Sequence, residues 1–223
     1  MVGYGDVIGV VVVYGYVAFL LVLTEKVLAK RYPLQSRKLL HMLTGNIAFL
    51  LPVFQTREIM AFVAAGPFIL FTFLMSPYSP IKSMRGRTSE AGHGLGLVYY
   101  AITWTILAYV FFDNRVVIAI GILAMSYGDG LASLLGSRYG RRKYTVFHDT
   151  KSYLGSLVMA LATFGTLLVA VVYYSVPVSS VLLLTILGIA MIAMVVEAVT
   201  PLGLDNLSVP FVVAVLYWGL VIV

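Results

Sequence analysis

The stretch AMSYGDGLASLLGSRYG, residues 124–140, opens as membrane-grade apolar sequence and closes in a basic loop, and Asp129 lies inside it. A carboxylate in a spanning helix is costly to desolvate, so such residues are rare and mark functional sites. Gly128 and Gly130 flank the acid and let another backbone or a ligand come close. Ser126, Asp129, Ser133 and Ser137 make a polar stripe at helical spacing, and Gly128, Ala132, Gly136 and Gly140 make a stripe of small residues beside it. A helix–helix packing seam accounts for the small stripe but not for the acid. Arg138, Arg141, Arg142 and Lys143 follow at once. An acid, small residues and a basic loop are the parts needed to hold a metal-bound phosphate at a lipid surface. The chain has no GxxxxGK followed by Ser or Thr, and no strand-led GxGxxG, so P-loop and dinucleotide-binding modes are excluded.

Four further groups carry chemistry. In RKLLHMLTGN, residues 37–46, Arg37 and His41 are four apart and share a helical face, with Lys38 beside them. Arg37 and Lys38 suit phosphate oxygens, Arg37 by its bidentate fork; they serve equally as the snorkelling basic flank of a span. In RGRTSEAGHGLG, residues 85–96, Glu90 is a lone acid in a basic loop, a candidate metal ligand or partner of an arginine, and His93 follows it; Thr88, Ser89 and Glu90 also read as an ordinary helix start. In HDTKSYLGS, residues 148–156, Lys151 and Ser152 stand where the sixth span should begin, so a lysine and a helix N-terminus both favour phosphate; Thr150 and Ser152 equally read as caps. In EAVTPLGLDNLSVP, residues 197–210, Glu197 ends one span, and Asp205 and Asn206 open the next as ligands or as caps. With Asp129 these acids make a magnesium site plausible, because Mg2+ takes one or two carboxylates and fills its shell with substrate phosphates.

The elements that must position these residues are membrane helices. Of 223 residues, 61% are hydrophobic and 11% charged, against about 25% charged in ordinary soluble domains. The length allows a single integral-membrane domain over residues 1–223 and no separate soluble one. The absence of cysteine excludes disulfides, thiolate metal sites and cysteine nucleophiles. Apolar stretches near 5–24, 39–55, 58–76, 94–112, 116–137, 154–174, 181–199 and 207–223 approach the ~20 residues a span requires. The expected fold is an all-α bundle of eight transmembrane helices, or seven if one segment is re-entrant. With eight spans, thirteen of the fifteen Lys and Arg residues fall on one side, which the positive-inside rule makes cytoplasmic, leaving both termini outside. The net charge of +6 is then topology rather than a nucleic-acid footprint. Every group singled out above falls on that same cytoplasmic side. A transporter would instead place polar groups through the midplane, so the pattern favours an interfacial enzyme over a transporter.

In order along the chain, RKLLH at 37–41, Glu90, GDGLASLLGSRYG at 128–140, KSYLGS at 151–156, Glu197 and DNLSVP at 205–210 resemble the CTP-dependent lipid kinases, the polyprenol, dolichol and phytol kinases with the CTP-using diacylglycerol kinase. The resemblance implies transfer of the γ-phosphate of CTP to the hydroxyl of a membrane isoprenoid alcohol, with Mg2+ as cofactor and the active site on the cytoplasmic face. On that resemblance Asp129, Glu197, Asp205 and Asn206 hold the metal. Arg37, Lys38, His41, Gly136, Gly140, Arg141, Lys143, Lys151 and Ser152 lie along the nucleotide, and Asp129, Glu90 or Asp205 acts in the chemical step. The Asp129 block followed by a Lys-Ser-x-x-Gly-Ser block is also similar to phosphatidate cytidylyltransferase, which would make a CDP-lipid. The acidic C-terminal signature of that enzyme is missing here.

Overall fold

The computed structural model describes residues 2–86, 94–147 and 149–223, and these are almost wholly helical. They divide into two compact units, residues 1–115 and 116–223, each considered by itself.

The first unit opens with α1, Tyr4–Leu28, α-helical to Leu21 and then wound as a π-helix. Its first turn is fixed by Asp6, which is fully buried. The Asp6 carboxylate accepts from the backbone N–H of Gly3 at 3.0 Å, of Gln55 at 2.8 Å and of Thr56 at 3.0 Å, and from the Thr56 hydroxyl at 2.7 Å. Helix α2, Pro33–Thr44, starts on a proline, tolerated where no N–H is needed. It tightens into a 3-10 helix over Gly45–Val53, which contains Pro52. Helix α3, Ile59–Met75, begins with a π-helical stretch and resumes after Pro67; α4 is Gly96–Val110. Helix α3 packs on α4 and α1, and α1 packs on α2. Leu20, Leu40 and Leu97 form a buried cluster where α1, α2 and α4 meet. Arg57 pairs with Asp113, and Arg115 Nη2 donates to the Phe54 carbonyl at 2.7 Å.

The second unit is built on α5, Arg115–Tyr139, whose Ile118, Ile120, Ile122, Leu123 and Met125 are fully buried. A π-helical segment, Ala124–Asp129, interrupts it. A hairpin follows: β1, Lys143–Val146, pairs antiparallel with β2, Asp149–Ser152, in the register Lys143 opposite Ser152 and Val146 opposite Asp149. Tyr144, Thr145 and Val146 are strand-forming types, and Phe147 starts the reversal at a φ of 54°. Helix α6, Tyr153–Tyr173, is capped by the Ser152 hydroxyl, which accepts from Gly155 N–H at 3.0 Å. Helix α7, Ser180–Val199, is capped by Ser179 and stops two residues before Pro201; α8 runs Asp205–Ile222. Helix α6 packs between α5 and α7, and α8 packs on α7 and on the π-helical segment of α5.

Each apolar stretch of the sequence carries a helix, so the all-α membrane class is what the structure has. Among the described residues, α1, α5, α6, α7 and α8 are long and apolar enough to cross a bilayer, while α3 and α4 are shorter. Two local expectations change. Lys151 was expected on a helix N-terminus and lies instead in β2, because the chain pairs back on residues 143–146 before α6 begins. Asp205 and Asn206 were expected as possible caps; Leu204 occupies the cap position and gives no side-chain bond, and Asp205 and Asn206 lie in the first turn.

Candidate active site

Three helices deliver one carboxylate each to a single place in the second unit. Asp129 closes the π-helical segment of α5, Glu197 lies in the last turn of α7, and Asp205 is the first residue of α8. Asp129 and Glu197 are buried, and Asp205 is half-buried. One oxygen from each lies within 4.8 Å of the others.

The local sequence explains the convergence. A π-helical turn adds a residue to the helical repeat and occurs mostly at functional sites; here it ends on Asp129, between Gly128 and Gly130. Gly128 has no room for a side chain, since a Cβ there would meet Thr163 Oγ1 at 2.5 Å and Met159 Sδ at 2.8 Å. Helix α6 therefore approaches α5 directly at the acid. Pro201 ends α7, and the return to α8 is a tight turn in which Leu202 and Gly203 have φ of 58° and 77°. A left-handed conformation is uncommon for leucine. It is held by the hairpin, because the Asp149 carboxylate accepts from Leu202 N–H at 2.9 Å. Asn206 Nδ2 donates to the Gly203 carbonyl and to Asp205 Oδ1, both at 2.9 Å, which fixes the turn from the other side.

Lys151 reaches from β2 to this site. Its Nζ lies 2.7 Å from Glu197 Oε1 and also donates to the Glu197 carbonyl, with both side chains largely buried. A buried pair of this kind is costly to desolvate and is retained where position matters. Three acids within 4.8 Å repel one another strongly in a low-dielectric setting. Their donors are all oxygen, the set a hard divalent cation prefers.

The structure thus brings together Asp129, Glu197, Asp205 and Lys151, with Asn206 supporting the turn. Gly136 and Gly140 are packing positions: a Cβ on Gly136 would meet Ser152 Oγ at 2.7 Å and Gly155 Cα at 2.9 Å, and Gly140 closes on the same serine. Arg138, Arg141, Arg142 and Lys143 are exposed around the end of α5 and the start of β1. Ser126 and Ser137 spend their hydroxyls on the carbonyls of Ile122 and Leu134. Arg37, Lys38 and His41 lie on α2 of the first unit. There Arg37 and His41 are buried on one face, and the His41 ring lies 4.2 Å from that of Tyr100, tilted by 47°. Glu90 and His93 lie outside the described residues. Asp149 is the residue whose role the sequence did not show: its partner is a backbone N–H 53 positions away.

These features define a helical integral membrane protein with a buried cluster of carboxylates and a lysine. Comparison with known proteins gives the family. The chain is 38% identical over 159 residues to the phytol kinase of Synechocystis sp., an alignment covering 70% of this chain and 66% of that protein. It is 32% identical over 204 residues to a probable chloroplastic phytol kinase of Triticum aestivum, covering 82% and 67%. It is 30% identical over 216 residues to the chloroplastic phytol kinase 1 of Arabidopsis thaliana, covering 86% and 69%. The chain belongs to the phytol kinase family and spans about two thirds of the length of these relatives. No family model and no solved structure matches it.

Proposed function

We propose that this protein is a lipid-alcohol kinase that transfers the γ-phosphate of CTP to the hydroxyl of a membrane isoprenoid alcohol. The observation that carries the reading is the convergence of Asp129, Glu197 and Asp205 within 4.8 Å, with Lys151 on Glu197. The names of the relatives supply the reaction class.

In phosphoryl transfer the protein chiefly positions groups and neutralises charge. Asp129 and Asp205, with Glu197, would hold Mg2+, which would offset the negative charge of the nucleotide phosphates. Lys151 holds Glu197 in register and offers its ammonium to a phosphate oxygen as the nucleotide arrives. The alcohol oxygen forms a bond to the γ-phosphorus as the bond to the bridging oxygen of CDP breaks. The hydroxyl proton passes to a carboxylate of the cluster. The exposed Arg141 and Lys143 draw the anionic nucleotide toward the site. The active face is cytoplasmic on the distribution of Lys and Arg.

The test is purified protein in detergent with magnesium, γ-labelled CTP or ATP, and a panel of lipid alcohols, beside Asp129→Asn. The expected result is label on an isoprenoid alcohol from CTP, lost in the variant and on chelation of magnesium. Label from ATP alone would overturn the donor. A CDP-lipid formed from phosphatidate and α-labelled CTP, with no phospho-alcohol, would overturn the kinase.

A further inference from the structure

Glu197 lies in the last turn of α7 and Asp205 begins α8, so two acids of the cluster stand on opposite arms of one tight turn. Like charges this close push the arms apart. Asp149 and Asn206 fix the inside of the turn, at Leu202 and Gly203. The arms themselves need a tie.

Two hydroxyls that the chemistry above does not use supply it. Thr200 caps the end of α7, Ser208 lies in the first turn of α8, and their hydroxyl oxygens are 3.1 Å apart in a half-buried setting. Each follows an acid of the cluster by three residues, Thr200 after Glu197 and Ser208 after Asp205. Thr200 keeps the helical register, since its N–H bonds to the Val196 carbonyl at 3.1 Å. Residues three apart share a side of a helix, so the hydroxyl pair runs alongside the acid pair.

Counting hydrogens gives the direction of the bonds. The Thr200 hydroxyl has one hydrogen and donates it to the Val196 carbonyl at 2.6 Å. Ser208 is then the donor to Thr200. The chain of bonds runs from Ser208 through Thr200 to the Val196 carbonyl, which belongs to the peptide unit that begins Glu197. Bonding back to the carbonyl four residues earlier is a common habit of threonine in helices, and it accounts for Thr200 alone. It does not account for a serine of the next helix seated on that threonine.

We infer that Thr200 and Ser208 are positioning residues of the carboxylate cluster: the bond between their hydroxyls fixes the separation of Glu197 and Asp205, and with it the affinity of the cluster for a divalent cation. The inference rests on the reading of the cluster as a metal site, and assigns neither hydroxyl as a ligand.

The probe is Mn2+, which shares the oxygen preference of Mg2+. Its binding to the purified protein in detergent, without nucleotide or alcohol, is followed by electron paramagnetic resonance. The parent should bind the ion and Asp129→Asn should bind it far more weakly, an arm that tests the metal reading itself. Ser208→Ala removes the tie and leaves the Thr200–Val196 bond in place. It should weaken Mn2+ binding about tenfold, the low end of the loss seen when the outer partners of metal ligands are removed. Thr200→Val should do the same, and the double variant should lose about tenfold rather than a hundredfold, because one shared bond is lost only once. Thr200→Ser, which keeps the hydroxyl, should bind as the parent does. A merely structural role would instead lower the melting temperature of the metal-free protein and leave Mn2+ affinity unmoved. Should Thr200→Val fail to fold, Ser208→Ala set against Ser208→Thr decides. Parental Mn2+ affinity in Ser208→Ala, or additive losses in the double variant, overturns this inference and leaves the metal reading standing. Absence of Mn2+ binding in the parent overturns both.

Discussion

Two buried acids in two spanning helices have opposite surroundings. Asp6, in α1 of the first unit, is met by four neutral donors, three backbone N–H groups and one hydroxyl, and ties the start of α1 to residues 55 and 56. Asp129, in α5 of the second unit, is met by two more carboxylates within 4.8 Å. The first arrangement disperses one negative charge over donors that the fold must satisfy anyway, and is a joint. The second concentrates negative charge, and makes sense when a cation and a polyanion are to be handled there. The rarity of acids in membrane helices therefore does not by itself identify a site; the company of the acid does.

The largest expected effect separates these two acids. Asp129→Asn should lower phosphate transfer by at least roughly 10²–10³-fold, the size of effect seen when one electrostatic contact to developing charge is lost. Its unfolding in detergent should be little changed or improved, since one of three repelling charges is gone. Lys151→Met comes next. Removing one partner of a buried pair costs about 3–5 kcal/mol, so denaturant titration should show a large loss of stability together with loss of transfer. Asp6→Ala should cost about 2–4 kcal/mol through its lost charged hydrogen bonds, while activity per folded molecule, from active-fraction titration, stays at the level of the parent. Should Asp6→Ala abolish transfer in folded protein, the contrast between joint and site would break. Asp149→Ala gives the smallest effect: about 1 kcal/mol for one hydrogen bond and a few-fold rise in KM for the nucleotide, as the turn between Glu197 and Asp205 loosens.

The helices and the acids of the site were legible in the sequence for physical reasons. Apolar length reports a span directly, and an acid placed within such a span or at its edge stands out without any knowledge of its neighbours. Three things could not be read. The π-helical segment ending at Asp129 has no residue signature of its own. The hairpin at residues 143–152 lies in a basic run whose charge masks the strand-forming Tyr144, Thr145 and Val146, so Lys151 looked like a helix-terminal lysine. The bond from Asp149 to Leu202 joins a side chain to a distant backbone group, and no side-chain pairing rule points to it. The glycines were legible as a stripe, and the packing of Gly128 on α6 and of Gly136 on Ser152 and Gly155 is the seam that such spacing describes.

The three carboxylates also bear on how the protein is made. Helices α5 and α8, which carry Asp129 and Asp205, are the two least apolar of the five long spans. Helix α5 is buried over 78% of its most apolar stretch, so it depends on protein neighbours more than on lipid. An aspartate near the middle of an inserting segment costs about 2.5–3.5 kcal/mol at the translocon. The ribosome delivers α5 before α6, and the short hairpin then brings α6 against it. The two are expected to leave the translocon as a pair, with the acid already shielded, and the cluster is complete only when α8 has been synthesised.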